Sequence, residues 1–414
     1  MIYSISLHEV LLALSAALDY VGIDDLCHGK RVARMAGECA RQAGWSRDRQ
    51  DELILLGLLH DCGVSSSQVH RHLVSEWEWS EAHVHAERGA DLLAPTRLLS
   101  HFAEPVRYHH TPWHMLKRSG LPHNVCEQAN LIFLVDRVDA LRACSEGREE
   151  SSLWREKIAS HSGSLFCPDL VEIFLAASDN DSFWFSLDSE PLDLFFTEWA
   201  HRSPATDMEF SALLELAQMF ASIVDGKSRF TYRHSLGVCA VARLLAEVSH
   251  LDEAERETVV LASLLHDLGK LRVDDAILDK PGAFDATERK VMNHHSFDTE
   301  LILRRIGGFG EIAHIASLHH ETLDGTGYPR RIKAEAIPRA ARIIAVADIF
   351  QALVQNRPYR QPLSLDAACE VMAQMVVRGK LDPQVVGVLF AHGKEAFALA
   401  RQHEEEDASD FLDK

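Results

Sequence analysis

No run in this 414-residue chain approaches the roughly 18 uninterrupted apolar residues that a membrane-spanning helix needs, so no membrane partner is expected. The N-terminus has no basic start, and His8, Glu9 and Asp19 break its apolar pattern; it makes a poor secretion signal, and the cytoplasm is the expected compartment. Positive charge is short. Lys and Arg number 42 against 62 Asp and Glu, a net charge of −20, which argues against a binder of polymeric nucleic acid because that affinity comes from cationic side chains displacing counterions. The eight cysteines stand singly, without a Cys-x-x-Cys pair, so a disulfide scaffold is not expected and the thiols should be reduced. Cys62 reads as a small buried apolar residue. An apolar fraction of 47% with 25% charged residues is that of an ordinary globular protein, long enough for two domains.

What is present instead is an ordered series of histidines and aspartates, the side chains that hold hard or borderline divalent metals. The second half carries His234, His266-Asp267, His295, His319-His320 and Asp348, and the first half carries His28, His60-Asp61, His85, His109-His110 and Asp136. The interval from first histidine to His-Asp pair is 32 residues in both halves, 28 to 60 and 234 to 266. The next interval is 25 residues in one half and 29 in the other, and the last, from doublet to final aspartate, is 26 and 28. Leu58-Leu59-His60-Asp61-Cys62-Gly63 also matches Leu264-Leu265-His266-Asp267-Leu268-Gly269. Chance histidines do not keep register, so a duplicated domain is the economical explanation.

Three segments then identify a relationship: His266-Asp267-Leu268-Gly269-Lys270, the run His319-His320-Glu321-Thr322-Leu323-Asp324-Gly325-Thr326-Gly327-Tyr328-Pro329, and Arg357-Pro358-Tyr359-Arg360. From about Phe210 to Phe397 the chain resembles the HD-GYP domain, the subgroup of the HD phosphohydrolase superfamily that degrades cyclic dinucleotide second messengers. The first half resembles a plain HD domain. The resemblance implies two divalent ions, iron or manganese, in the second half: one held by His234, His266, Asp267 and Asp348, the other by His295, His319 and His320, with Asp267 bridging. It assigns Asp267 and Lys270 to catalysis, and Lys270, Asp324, Gly325, Tyr328, Arg357 and Arg360 to substrate. Lys270 lies one helical turn beyond His266, where its ammonium can reach a phosphate. Arginine forks at 357 and 360 suit bidentate phosphate contact. Tyr328 either stacks on a base or packs inward. Some family members carry a glutamate four residues before the first histidine that helps hold a third metal; Phe230 stands there, so two metals are expected.

The first half keeps every ligand position, making His28, His60, Asp61, His85, His109, His110 and Asp136 a second candidate metal site. Val64 replaces the lysine, Thr111-Pro112-Trp113-His114 does not continue into a Gly-Tyr-Pro loop, and no Arg-Pro-Tyr-Arg follows Asp136. A degenerate, regulatory domain is expected there.

The fold expected is all-α, two tandem HD-type helical domains: 1–203, 204–400 and an acidic tail 401–414 that is solvated and frayed. The apolar run Val259 to Leu265 reads as a buried helix leading into His266, Asp285 with Glu288 as a capping box, and Arg342 to Leu353 as a helix stopped by Pro358. Gly325, Gly327 and Pro329 place 324–329 in a loop able to close over a ligand. Ser186 to Ser203 is the expected linker. The function implied is hydrolysis of cyclic di-GMP to a linear 5′-phosphorylated dinucleotide, with onward cleavage to mononucleotides open. The alternatives are a phosphodiesterase specific for 3′,3′-cyclic GMP-AMP and, from another class, a nonenzymatic cyclic-dinucleotide receptor. Protein partners are expected through the Gly-Tyr-Pro loop.

Overall fold

The computed structural model describes residues 2–19, 27–66, 69, 73, 77, 82–144, 151–227, 233–356 and 361–410, with side chains through 402. Helices make up nearly all of the described secondary structure; the exceptions are an isolated bridge between Ser162 and Phe166 and a two-stranded antiparallel ribbon of Ile2–Ile5 with Thr206–Glu209, in which Ile2 faces Glu209 and Ile5 faces Thr206. The all-α expectation is met. The chain divides into one unit of Ser6–Ala205 and another of Thr206–Lys414 joined by the first five residues. The N-terminal strand therefore belongs with the second half of the sequence. The stretch expected as a linker is instead mostly the helix Ser189–Arg202, with Leu192, Phe196, Trp199 and Ala200 buried. The C-terminal helix Gly393–Asp410 runs on through most of the expected tail.

In the second unit each ligand-bearing segment has a local reason for its position. Helix Glu253–Leu265 begins with a capping box, Asp252 accepting from the Glu255 N–H and Glu255 from the Asp252 N–H, and ends on the fully buried run that delivers His266. Helix Ala286–Leu303 starts with the expected box of Asp285 and Glu288 and buries His295, Ser296 and Thr299 on one face. Each such cap contributes about 0.5–2 kcal/mol. Between them the short 3-10 turn Leu268–Arg272 lies against that buried face because residue 269 has no side chain: a Cβ there would stand 2.0 Å from the His295 carbonyl oxygen. The Gly269 N–H donates to Thr299 Oγ1, and the Thr299 hydroxyl donates to the His266 carbonyl, so turn and helix are tied together. Gly63 makes the same close approach in the first unit, where an added Cβ would stand 2.0 Å from the His85 carbonyl oxygen.

Candidate metal centre

All seven histidines and aspartates expected in the second unit converge. The His234 Nε2 lies 3.1 Å from Asp348 Oδ1, and His266 Nε2 lies 3.2 Å from Asp267 Oδ2. On its other oxygen Asp267 stands 3.5 Å from His295 Nε2 and 3.8 Å from His319 Nε2, so this one carboxylate spans both groups of histidines. His320 Nδ1 is 3.9 Å from Asp348 Oδ2. The doublet His319-His320 sits in the turn just past helix Gly310–Ser317 rather than on a helix, and Asp348 comes from helix Arg339–Val354.

The hydrogen bonds fix which nitrogen each ring presents. The Nδ1–H groups of His266, His295 and His319 donate to the carbonyls of Ser263, Met292 and Ala316, each three residues back, at 2.7, 2.6 and 2.7 Å. Their Nε2 lone pairs must then face the centre. Two of them, on His295 and His319, come within 3.2 Å of one another. Neutral imidazoles so oriented repel unless a cation lies between them. The buried Nε2 of His266 and Oδ1 of Asp267 also have no hydrogen-bond partner among the described residues. Orphaned lone pairs converging from histidine and carboxylate are what a divalent cation satisfies, so the donor set fits the implied metals.

Electrostatics agree. Burial resists charge on His266, but the Asp267 carboxylate beside it prevails and raises the imidazole to about 9, so a proton stands where a cation would. Burial pushes His295 down to about 3 and His320 to about 4, and holds His319 well below its ordinary value; these rings are neutral. Against the cost of burial, His266 and Lys270 hold Asp267 well below the carboxylate range, and the hydrogen bond from His234 does the same for Asp348.

Of the expected substrate residues, Lys270 places Nζ 2.5 Å from Asp267 Oδ2. Tyr328 packs inward: its ring lies 4.7 Å from that of His320, and burial raises its phenol above the usual range. Asp324 is a loop-forming residue, accepting from the Thr322 and Thr326 hydroxyls and from the Thr326 N–H. Gly325 takes a φ of +76°, which favours glycine. Arg357 and Arg360, like Phe230, lie outside the described residues.

Sequence reasoning missed Glu321. Its buried carboxylate accepts from the backbone N–H groups of Arg330, Arg331 and Ile332 at 2.6, 3.0 and 3.2 Å, tethering the segment after Tyr328 to the histidine doublet. It also missed Asp225, buried and raised to about 7 by burial, which accepts from the N–H and hydroxyl of Ser235 next to His234. A signal existed, since Asp225 precedes His234 by nine residues and Asp19 precedes His28 by nine.

The first unit brings its seven candidates together in the same way. His28 Nε2 is 3.4 Å from Asp136 Oδ1 and 3.3 Å from His60 Nε2; His85 Nε2 is 3.2 Å from Asp61 Oδ1 and 3.3 Å from His109 Nε2. His60 and His109 again donate from Nδ1 to carbonyls three residues back. His110 approaches Asp136 at 3.9 Å. Two differences stand out. Val64 occupies the place of Lys270, and Arg137 lays Nε and a terminal nitrogen on Asp136 Oδ2 at 3.2 and 2.9 Å. Cys62 is fully buried beside Asp61, as expected.

Fold and site together define an HD domain, and it occurs twice: HD domain models match residues 26–141 and 218–385. The 3′3′-cGAMP-specific phosphodiesterase 1 of Vibrio cholerae is 34% identical over 410 residues, covering 96% of this chain and 94% of that protein. A cyclic di-GMP phosphodiesterase of Thermotoga maritima is 35% identical over 220 residues, 52% of this chain and 56% of that protein. The crystal structure of a cyclic GMP-AMP specific phosphodiesterase of V. cholerae matches with a TM-score of 0.62 at 25% identity, covering 94% of this chain and 98% of that one. The chain belongs to the HD-GYP family of the HD superfamily, with an additional N-terminal HD domain. Among the described residues no helix is long and apolar enough to cross a membrane.

Proposed function

We propose that the protein is a cytoplasmic, divalent-metal-dependent phosphodiesterase whose second unit opens 3′,3′-cyclic GMP-AMP to a linear 5′-phosphorylated dinucleotide. The observation that carries this reading is the end-to-end likeness, over 96% of the chain, to a relative named for that specificity. Sequence reasoning alone ranks cyclic di-GMP first. The order reverses because the Thermotoga cyclic di-GMP phosphodiesterase matches only 52% of the chain, whereas the full-length relative spans both HD domains. Cyclic di-GMP remains the second reading, supported by that same half-length likeness.

His234, His266, Asp267 and Asp348 would hold one ion, and His295, His319 and His320 the other, with Asp267 between them. Bound there, two divalent ions supply Lewis acidity toward a phosphate oxygen and lower the pKa of an attacking water. Asp267 must be ionised for this, and His266 and Lys270 keep it so. Lys270, already 2.5 Å from Asp267, offers its remaining N–H groups to a substrate phosphate. Tyr328 remains a neutral phenol walling the His320 side, and Asp324 and Gly325 shape the loop behind it. Arg357 and Arg360 retain the phosphate-binding role the resemblance gives them, and the exposed part of the loop is the surface offered to protein partners. The first unit is a regulatory domain that binds metal without turning over a cyclic dinucleotide. Asp267→Ala should abolish hydrolysis and lower metal content together; full turnover in that variant would refute the assignment.

A further inference from the structure

The two centres differ in what holds the outer nitrogen of their first histidine. In the second unit the His234 Nδ1–H donates to the amide oxygen of Gln355 at 3.0 Å. In the first, the His28 Nδ1–H donates to the carboxylate of Asp139 at 2.8 Å. Asp139 is buried and pinned by Arg31, whose Nε reaches Oδ1 at 2.6 Å and whose terminal nitrogen reaches Oδ2 at 2.8 Å. His60 and His109 in one unit, and His266, His295 and His319 in the other, donate to backbone carbonyls, whereas the buried Nδ1 of His85, the counterpart of His295, has no hydrogen-bond partner among the described residues.

An anionic acceptor on one imidazole nitrogen makes the other a stronger donor to a metal than a neutral amide does, and such outer partners change metal affinity by about 10–100-fold. Each centre also has one cation on a ligand carboxylate, Lys270 on Asp267 in the second unit and Arg137 on Asp136 in the first. These oppose metal binding in both. At the first histidine the difference is carboxylate against amide.

We infer that Asp139 and Gln355 are positioning residues that set unequal metal affinities, the first unit holding a divalent cation more tightly than the second. The inference rests on the metal reading of both centres, not on turnover. When metal becomes scarce, the second unit empties while the first stays filled, so activity follows metal supply without loss of the first domain's structure.

The test uses the full chain, stripped with a chelator and titrated with Mn2+ against a chromophoric competitor. The wild type should show two affinity classes, the tighter one lost in His60→Ala. Asp139→Asn keeps a hydrogen-bond acceptor but removes the charge, and should weaken the tight class about 10-fold or more while leaving the weak class in place. Gln355→Glu should tighten the weak class by a similar factor. Because Asp139 also anchors Arg31, the Asn variant could fail to fold; Gln355→Glu then decides alone. A weak class unmoved or loosened by Gln355→Glu would overturn the inference, as would a tight class unmoved by Asp139→Asn in folded protein. Both shifts in a chain that hydrolyses no cyclic dinucleotide would refute the functional proposal and uphold this one.

Discussion

Replacing Glu321 with alanine should release the loop that carries Tyr328 without dismantling the histidine cluster. The buried carboxylate accepts three backbone N–H groups, those of Arg330, Arg331 and Ile332, at 2.6 to 3.2 Å. Hydrogen bonds to a charged partner contribute about 1.5–3 kcal/mol each. Arg330 and Arg331 lie at the surface, where water can take over the released N–H groups, so the low end applies and the three together are worth about 3–5 kcal/mol. That corresponds to a rise of roughly 10²- to 4 × 10³-fold in the opening of this segment. Amide hydrogen exchange reads it directly: in Glu321→Ala the amides of Arg330–Ile332 should exchange faster by that factor, while those of helix Glu253–Leu265 should not change. Glu321→Gln keeps an acceptor oxygen and should cost only about 1–2 kcal/mol. Turnover should fall in the same order, because Tyr328 lies two residues upstream, packed on His320. Wild-type exchange rates at these three amides in the alanine variant would refute the reasoning.

Gly269→Ala should destabilise the second unit by about 3 kcal/mol in chemical denaturation, since its Cβ would fall 2.0 Å from a backbone carbonyl that cannot swing away; a loss under about 1 kcal/mol would mean that the turn is not held there. Lys227 gives a pH signature. Its ammonium donates to the carbonyls of Leu271 and Val273, yet burial lowers its pKa to about 8. The ordinary lysine value is about 10.4, so between about pH 8 and 10.4 the unfolded chain holds the proton more firmly than the folded one, and this group's contribution to stability rises with pH across that window, by about 2 kcal/mol. The difference between wild type and Lys227→Met, followed by denaturation from pH 7.5 to 10.5, should show that rise; a flat difference would contradict it.

The clustering of the candidate metal ligands was legible in the sequence because their chemistry is written in residue type and their order repeats. His234, His266-Asp267, His295, His319-His320 and Asp348 meet in space as their spacing against the first half implied. The partners that aim those ligands were not legible. Gln355, Asp139 and Glu321 are ordinary polar residues whose roles come from where the chain brings them, 121 residues from His234 in the case of Gln355 and 111 from His28 in the case of Asp139. Pro191 hides the helix Ser189–Arg202 from a reading of the sequence alone. Proline is tolerated in the first helical turn, where the backbone N–H has no intrahelical acceptor, and that is where Pro191 sits. The pairing of Ile2–Ile5 with Thr206–Glu209 joins segments some two hundred residues apart, and four residues carry no trace of their partner.

Hydrolysis of 3′,3′-cyclic GMP-AMP and cyclic di-GMP, measured side by side on the full chain anaerobically loaded with ferrous iron or with manganese and resolved by chromatography, decides whether the protein is a phosphodiesterase and for which messenger. Conversion of 3′,3′-cyclic GMP-AMP to a linear 5′-phosphorylated dinucleotide should be the faster, and Asp267→Ala should abolish it. Binding of either compound without hydrolysis under both metals would contradict it and make the protein a receptor.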